Sequence, residues 1–286
     1  MTELRTIATA PGLTFDVLAA GPADAPLVLL LHGFAESFHT WRSQVAALGA
    51  TGYRAVAPSQ RGYSPGARPD TRDTSNYEFD KLVGDAMNIA AACGPANRRF
   101  HLVGHDWGGS IAWGIADRYP DRLASLTILS RPHPNAFNRA LALPDGDQAH
   151  RSRHHKAFLD PEAATRLLAE DSRWLRERLK ANKVPDDAIA RHVALLGGAA
   201  TMEAALTWYR ARGAIRAPLG KIAVPTLYIW GDADDTVGRA AAEGTADDVS
   251  GPYRFEALPG VGHFAADQVP DQINALLLAH LQQHSH

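Results

Sequence analysis

The sequence predicts an α/β fold: an α/β core built on a mostly parallel central sheet with helices on both faces, carrying an inserted helical cap. Three features lead there. Short apolar runs of strand length alternate with longer amphipathic runs as far as residue 129. Between residues 131 and 222 the alternation stops, and no convincing central strand can be read. From residue 225 it resumes, so both ends of the chain belong to one core. The expected division is a core from 1–130 and 223–286 and a helical cap from 131–222. A chain of 286 residues, 45% hydrophobic and 21% charged, has the material for such a core with an inserted subdomain.

Residues 14–20 and 26–31 read as strands joined by a turn at Gly21-Pro22. The second run is apolar on both faces, which suits a central strand covered from both sides. A helix near 40–50, a strand at 53–57, a helix near 77–92 and a strand at 99–103 follow. A helix at 107–119 and a strand at 123–129 complete a βαβα series, whose crossovers are right-handed over a parallel sheet. In the insertion, residues 161–168, 186–196 and 202–211 read as helical, with prolines and glycines on the flanks. Strands at 225–230 and 253–257 and an amphipathic helix at 269–281 close the core. The cap then covers the carboxyl edge of the sheet, where sheets of this kind bind ligands.

Lys and Arg total 29 against 31 Asp and Glu, a formal charge of -2, so no domain-wide basic surface predicts a nucleic-acid partner. Cys93 is the single cysteine and cannot form an intrachain disulfide; packing within a helix is its expected place. The first residues lack the apolar stretch of a signal peptide, and the run 26–31 is too short to cross a bilayer. The expected location is the cytoplasm, with no membrane partner and a monomer or homodimer as the assembly.

The strongest local signal is Leu102-Val103-Gly104-His105-Asp106-Trp107-Gly108-Gly109-Ser110, placed where a buried strand turns straight into a helix. Its spacing is that of a nucleophile elbow, with Gly104 and Gly108 making room for the tight turn and Asp106 in the place usual for serine. A carboxylate, with an ordinary pKa of about 3.9, needs no base to activate it. It suits displacement at a strained or activated carbon. A bare helix cap at Asp106 would leave both glycines unexplained.

His32-Gly33-Phe34 ends the apolar strand, and the amides of Phe34 and Trp107 are placed to converge as an oxyanion hole. The His32 side chain itself is expected to be structural. Gly260-Val261-Gly262-His263-Phe264 offers a glycine-bracketed histidine after the last strand, suited to take a proton from water attacking an Asp106 ester. The acid that orients it is sought in Gly231-Asp232-Ala233-Asp234-Asp235. Asp234 is the expected one, far enough past the strand for its carboxylate to turn inward; Asp232 and Asp235 are read as caps or as facing water, and spacing alone does not settle the trio. In the insertion, Trp208-Tyr209 places a phenol beside an indole. Tyr209, with a pKa of about 10, suits the acid that protonates an opening epoxide, and Trp208 suits packing or the pocket wall.

Taken together, His32-Gly33-Phe34-Ala35-Glu36-Ser37, Arg61-Gly62-Tyr63-Ser64, Gly104-His105-Asp106-Trp107-Gly108-Gly109 and Leu206-Thr207-Trp208-Tyr209-Arg210 resemble motifs of the α/β-hydrolase superfamily, in its epoxide-hydrolase branch with an aspartate nucleophile. The resemblance spans nearly the whole chain. It implies Asp106 as nucleophile, Asp234 as relay acid, His263 as water activator, Tyr209 as a cap acid, and Phe34 and Trp107 as oxyanion donors. The family usually has a second cap tyrosine, whereas the matching segment 147–158 has none; His154 or His155 takes its place in the expected substrate-contacting set, with Trp107 and Trp208.

The expected activity is hydrolysis of a small apolar epoxide to a vicinal diol, with no cofactor and no metal; the 13 histidines form no convincing ligand set. Two alternatives stand beside it. A haloalkane or haloacid dehalogenase would use the same ester, yet Phe34 stands where haloalkane dehalogenases carry asparagine, and Trp107 where fluoroacetate dehalogenases carry arginine. A catalytically silent protein binding a small molecule under the cap is the third reading.

Overall fold

Every residue of the apolar run Leu27–Leu31 is buried. Leu27, Leu29 and Leu31 join one apolar layer and Val28 and Leu30 the other, the period of two of a strand covered on both faces. The computed structural model describes residues 1–95, 98–211 and 218–285. Residues 212–217 of the expected insertion and residues 96, 97 and 286 of the expected core lie outside the described residues.

Among the described residues the sheet has eight strands: β1 (Glu3–Ala10), β2 (Leu13–Ala20), β3 (Leu27–Leu31), β4 (Arg54–Pro58), β5 (Phe100–His105), β6 (Leu123–Leu129), β7 (Thr226–Gly231) and β8 (Tyr253–Leu258). Their order is β1-β2-β4-β3-β5-β6-β7-β8. The β1–β2 and β2–β4 pairs are antiparallel and every other pair is parallel, as a mostly parallel sheet requires. The helices are α1 (Arg42–Ala50), α2 (Phe79–Cys93), α3 (Trp107–Arg118), α4 (Pro134–Leu141), α5 (Gln148–Arg151), α6 (His154–Ala157), α7 (Ala163–Ala181), α8 (Asp186–Leu196), α9 (Ala199–Arg210), α10 (Arg239–Glu243), α11 (Ala265–Gln268) and α12 (Pro270–Gln283). Apolar residues of α1 and α12 pack in the layer with Val28 and Leu30, and those of α2 and α3 in the layer with Leu29.

Helices α4 to α9 lie between β6 and β7, as the inserted helical region that the sequence pattern implies. Apolar side chains of this inserted region, among them Phe158 just after α6 and Leu167, Met202 and Leu206 within its helices, belong to the same apolar cluster as the α2–α3 face of the sheet. Polar contacts reinforce that seating. His192 of α8 accepts from the Ser37 amide at 3.0 Å through Nδ1, so its Nε2–H donates to Asp267 at 2.9 Å. Arg68 donates to Thr201 at 2.8 Å.

The structure departs from the sequence reading at the weakly patterned elements. β1 was not expected; it is an edge strand with no fully buried residue, so its ladder to β2 defines it rather than an apolar face. α4 is a short helix opened by Pro134 at its first turn. The expected helix 161–168 is the first part of α7, which leaves helical dihedrals at Ala169 and passes through positive φ at Glu170, Asp171 and Ser172 before a second part begins. No helix among the described residues is long and apolar enough to cross a membrane.

Candidate active site

Asp106 stands between β5 and α3 with φ 48° and ψ -114°, a strained conformation for a residue with a side chain. Close packing maintains it. A Cβ on Gly104 would meet the Gly108 carbonyl oxygen at 2.5 Å, and one on Gly108 would meet the Leu31 carbonyl oxygen at 2.2 Å, so only glycine fits at either flank. The Ser110 amide donates to the Asp106 carbonyl at 2.9 Å, which starts α3 without using the carboxylate as a cap.

That carboxylate is free for other contacts. The Phe34 amide donates to its Oδ1 at 3.1 Å, and the other oxygen, Oδ2, lies 3.9 Å from His263 Nε2. Gly33 permits the approach, since a Cβ there would sit 2.7 Å from Asp106 Oδ1. Trp107 opens α3, where a helix leaves its first amides without helical acceptors. Burial alone would raise the pKa of Asp106, but His263, His105, Arg131 and the Phe34 amide hold it below the ordinary carboxylate value. The group is therefore charged at neutral pH.

His263 is placed from three sides. Its Nδ1 lies 3.1 and 3.0 Å from the two oxygens of Asp234, its backbone amide donates to Asn182 Oδ1 at 3.0 Å, and its carbonyl accepts from His105 Nε2 at 2.9 Å. Asp234 Oδ1 also accepts the amides of Thr236 and Val237 at 2.7 and 3.0 Å. The aspartate trio is thus separated in space. Asp234 is buried against His263, whereas exposed Asp235 pairs with Arg178 and exposed Asp232 accepts the Gly260 amide.

These groups border a cavity of about 840 Å³ whose lining includes Phe34, Asp106, His154, Trp174, Tyr209 and His263. Tyr209 reaches it from α9, with its ring edge-on to Trp107 at 5.0 Å and to Phe34 at 5.8 Å. His154 and His155 part company on α6: His154 borders this cavity, and His155 borders a neighbouring one with its ring 5.7 Å from that of Tyr209. His154 Nδ1 lies 3.0 Å from the Arg151 carbonyl and must donate to it, which leaves Nε2 without a proton in the neutral ring. Burial and Arg178 outweigh the pull of Asp106 and push its pKa down to about 4. Trp208 does not line the cavity. Its Nε1 donates to the Arg61 carbonyl at 3.0 Å and its ring packs on Tyr63 and Trp107, which makes it a packing residue rather than the substrate contact expected of it.

The side chain of His32 is structural, as its sequence context suggests: Nδ1 bonds the Gly33 carbonyl at 2.9 Å and Nε2 accepts the Gln60 amide at 3.3 Å. Three buried groups beyond those the sequence singles out hold the site: Glu36, His105 and Asn182. Glu36 accepts from His105 Nδ1 at 2.6 Å and from the Gly33 amide at 2.9 Å, so one chain of bonds ties the Phe34 loop to the His263 loop. A histidine at the end of an apolar strand and a glutamate beside the oxyanion loop were the available signal, since each buried charge needs a partner. Asn182, which holds the His263 amide from the cap, left no such trace.

Residues 26–270 match the family model described as alpha/beta hydrolase fold. Epoxide hydrolase 3 of Xenopus tropicalis is 30% identical over 288 residues, covering 95% of this chain and 76% of that protein. Epoxide hydrolase A of Mycobacterium tuberculosis is 30% identical over 313 residues, covering 94% of each. A solved structure described among novel epoxide hydrolases from metagenomes of hot environments superposes with a TM-score of 0.84 at 29% identity, covering 98% of this chain and 99% of that one.

Proposed function

The chain belongs to the alpha/beta-hydrolase family, in its epoxide-hydrolase-like branch, and from that premise we propose that it hydrolyses an organic epoxide to a vicinal diol through a covalent ester on Asp106. The chief support is the position of the Asp106 carboxylate: one oxygen held by the Phe34 amide at 3.1 Å, the other 3.9 Å from His263 Nε2, at a cavity that a cap phenol also borders.

Asp106 Oδ2 attacks an epoxide carbon from the face opposite the breaking C–O bond. The departing oxygen takes a proton from Tyr209, leaving a hydroxyalkyl ester. A water then gives a proton to His263 Nε2 and adds to the Asp106 carboxyl carbon. The imidazolium is steadied by Asp234, and the tetrahedral oxyanion by the amides of Phe34 and Trp107. Collapse returns the proton to the departing alkoxide and releases the diol; the second proton of the water, left on the Asp106 carboxyl group, passes to the Tyr209 phenolate, so that both Asp106 and Tyr209 are restored. A preformed donor on Oδ1 suits the second step, because the oxyanion develops on that atom. The chemistry proposed needs no cofactor.

The decisive experiment is a His263→Gln variant exposed to a panel of epoxides and followed by intact-protein mass spectrometry. An adduct equal in mass to the epoxide, localised to Asp106, is the expected result. Epoxide turnover by the wild type with no adduct on the variant would overturn the mechanism. An adduct formed only from alkyl halides would move the activity to carbon–halogen hydrolysis, and binding without turnover of any electrophile would make the protein a silent binder.

A further inference from the structure

We propose that the second cavity, on the far side of α6 from Asp106, is a carboxylate site in which Arg131 binds the acid group of a ligand with an apolar chain. Where that acid is the far end of the substrate itself, the proposal rests on the epoxide reading above and narrows its substrate to epoxy acids.

The cavity measures about 660 Å³. Arg131 borders it directly after β6 and Ser130, and is 7% exposed. Its Nε is buried with no hydrogen-bond partner among the described residues, and the guanidinium lies over the Phe137 ring, 4.9 Å from its centre. A buried charge in that state is unusual, since desolvation is normally offset by a partner carboxylate. Arg61, equally exposed at 7%, shows the ordinary arrangement: its Nε and Nη2 donate to the two oxygens of Asp85 at 2.6 and 2.8 Å.

The lining of the cavity supplies no such partner, and the carboxylate whose charge acts on Arg131 is that of Asp106, which borders the neighbouring cavity and makes no hydrogen bond to its Nε. Arg153, His155 and Lys156 join Arg131 there, with no aspartate or glutamate. In the neighbouring Asp106 cavity, by contrast, Arg151 pairs with Asp147 and Arg178 with Asp235. The rest of the second cavity is largely apolar, including Pro134, Phe137 and Leu141. A planar guanidinium at an apolar wall, under cationic residues, matches a carboxylate on a hydrocarbon chain better than a hydrated inorganic ion.

The two cavities adjoin. Arg153 borders both, and the ring of His155, which borders the second cavity, lies 5.7 Å from that of Tyr209, which borders the first. The positive charge of Arg131 is already among those that hold Asp106 below the ordinary carboxylate value, so the guanidinium and the nucleophile lie within electrostatic reach. One extended molecule therefore has a place for an epoxide beside Asp106 and for a carboxylate at Arg131.

The test uses octanoate and octan-1-ol as probes, with calorimetry on the wild type, Arg131→Met and Arg131→Lys. Octanoate should bind the wild type and weaken by about tenfold or more in Arg131→Met, with a smaller loss in Arg131→Lys, while octan-1-ol discriminates little among the three. Equal octanoate affinity in wild type and Arg131→Met, or none in the wild type, overturns the site. If Arg131→Met fails to fold, photo-crosslinking of wild type with a diazirine-bearing octanoate replaces it; adducts within 134–142 support the proposal and adducts confined elsewhere overturn it.

A second arm compares kcat/KM for 10,11-epoxyundecanoate and its methyl ester, as a ratio within each variant so that changes in turnover itself cancel. A wild-type preference for the acid that collapses in Arg131→Met assigns the carboxylate to the substrate. Octanoate binding through Arg131 with an unchanged ratio assigns it to a separate acid. Octanoate binding with no epoxide turned over keeps the acid site and removes the epoxide reading.

Discussion

Tyr209 and His154 border the same cavity, but they are not equivalent proton donors. With Nδ1 committed to the Arg151 carbonyl and a pKa pushed down to about 4, His154 has no proton to offer an epoxide oxygen near neutral pH. The phenol then carries the acid role. Tyr209→Phe in the His263→Gln background should slow adduct formation by about 10²-fold or more, measured by quenched-flow mass spectrometry; a loss below tenfold would move the role to a cap histidine. The Glu36–His105 pair gives a separate, thermodynamic prediction. Burial opposes both charges, yet it is outweighed for Glu36 by His105 with His192 and the Gly33 amide, and for His105 by Glu36 with Asp106 and the His263 carbonyl, so Glu36 is held down at about 2 and His105 up at about 9. A raised histidine pKa stabilises fully below its ordinary value of 6.5, and the benefit is lost as pH climbs through about 9. The acid limb belongs to Glu36, whose contribution is present above 4.5 and lost as pH falls through about 2. The thermal midpoint of the wild type should therefore fall by several degrees between about pH 7 and pH 10, and a Glu36→Gln/His105→Gln double variant should show a shallower decline over that range.

At the scale of elements, the cap is joined to the core by groups that differ in what they control. His192 on α8 connects the Ser37 amide to Asp267, and Asp267 also accepts from Thr40 at 2.9 Å and pairs with Arg42. Replacing His192 with alanine removes a donor and an acceptor at once and leaves buried polar groups unmet. The expected cost is about 1–3 kcal/mol, read as a lower urea midpoint; an unchanged midpoint would mean that water replaces the ring. Asn182 at the end of α7 acts elsewhere, on the His263 amide. Its replacement by alanine should lower kcat through the hydrolytic half of the reaction while ester formation proceeds, and an equal loss in both halves would argue against a positioning role.

For the whole molecule, the relevant fact is that apolar residues of the inserted helices and of the α2–α3 face belong to one buried cluster. Separating them would expose that surface on both sides, so cap and core should unfold together. Scanning calorimetry with tryptophan fluorescence as a second probe should find coincident transitions; two resolved steps would show the inserted helices to be an independent unit. The shared core also limits how the cavity opens, since lifting the whole cap would strip buried surface from Leu206 and Trp208 as well as from Tyr209.

The alternation of β3 through β8 and the elbow around Asp106 were legible because both are local. A doubly covered strand needs an unbroken apolar run, and a turn with positive φ at Asp106 needs the glycines written on either side of it. Edge strand β1 was not legible, because pairing to β2 defines it more than any pattern of its own, and the second part of α7 is set apart from the first by a break at 169–172 that no glycine or proline marks, although its Leu175 and Leu179 are buried four residues apart. The sequence likewise narrowed the relay acid to three neighbouring aspartates, yet only the folded chain turns Asp234 toward His263 and commits the other two elsewhere. The same holds for Glu36 with His105 and for Arg131 beside its cavity. Periodicity reports which face of an element is buried, whereas the partner of a buried charge is chosen by contacts between segments far apart in the chain.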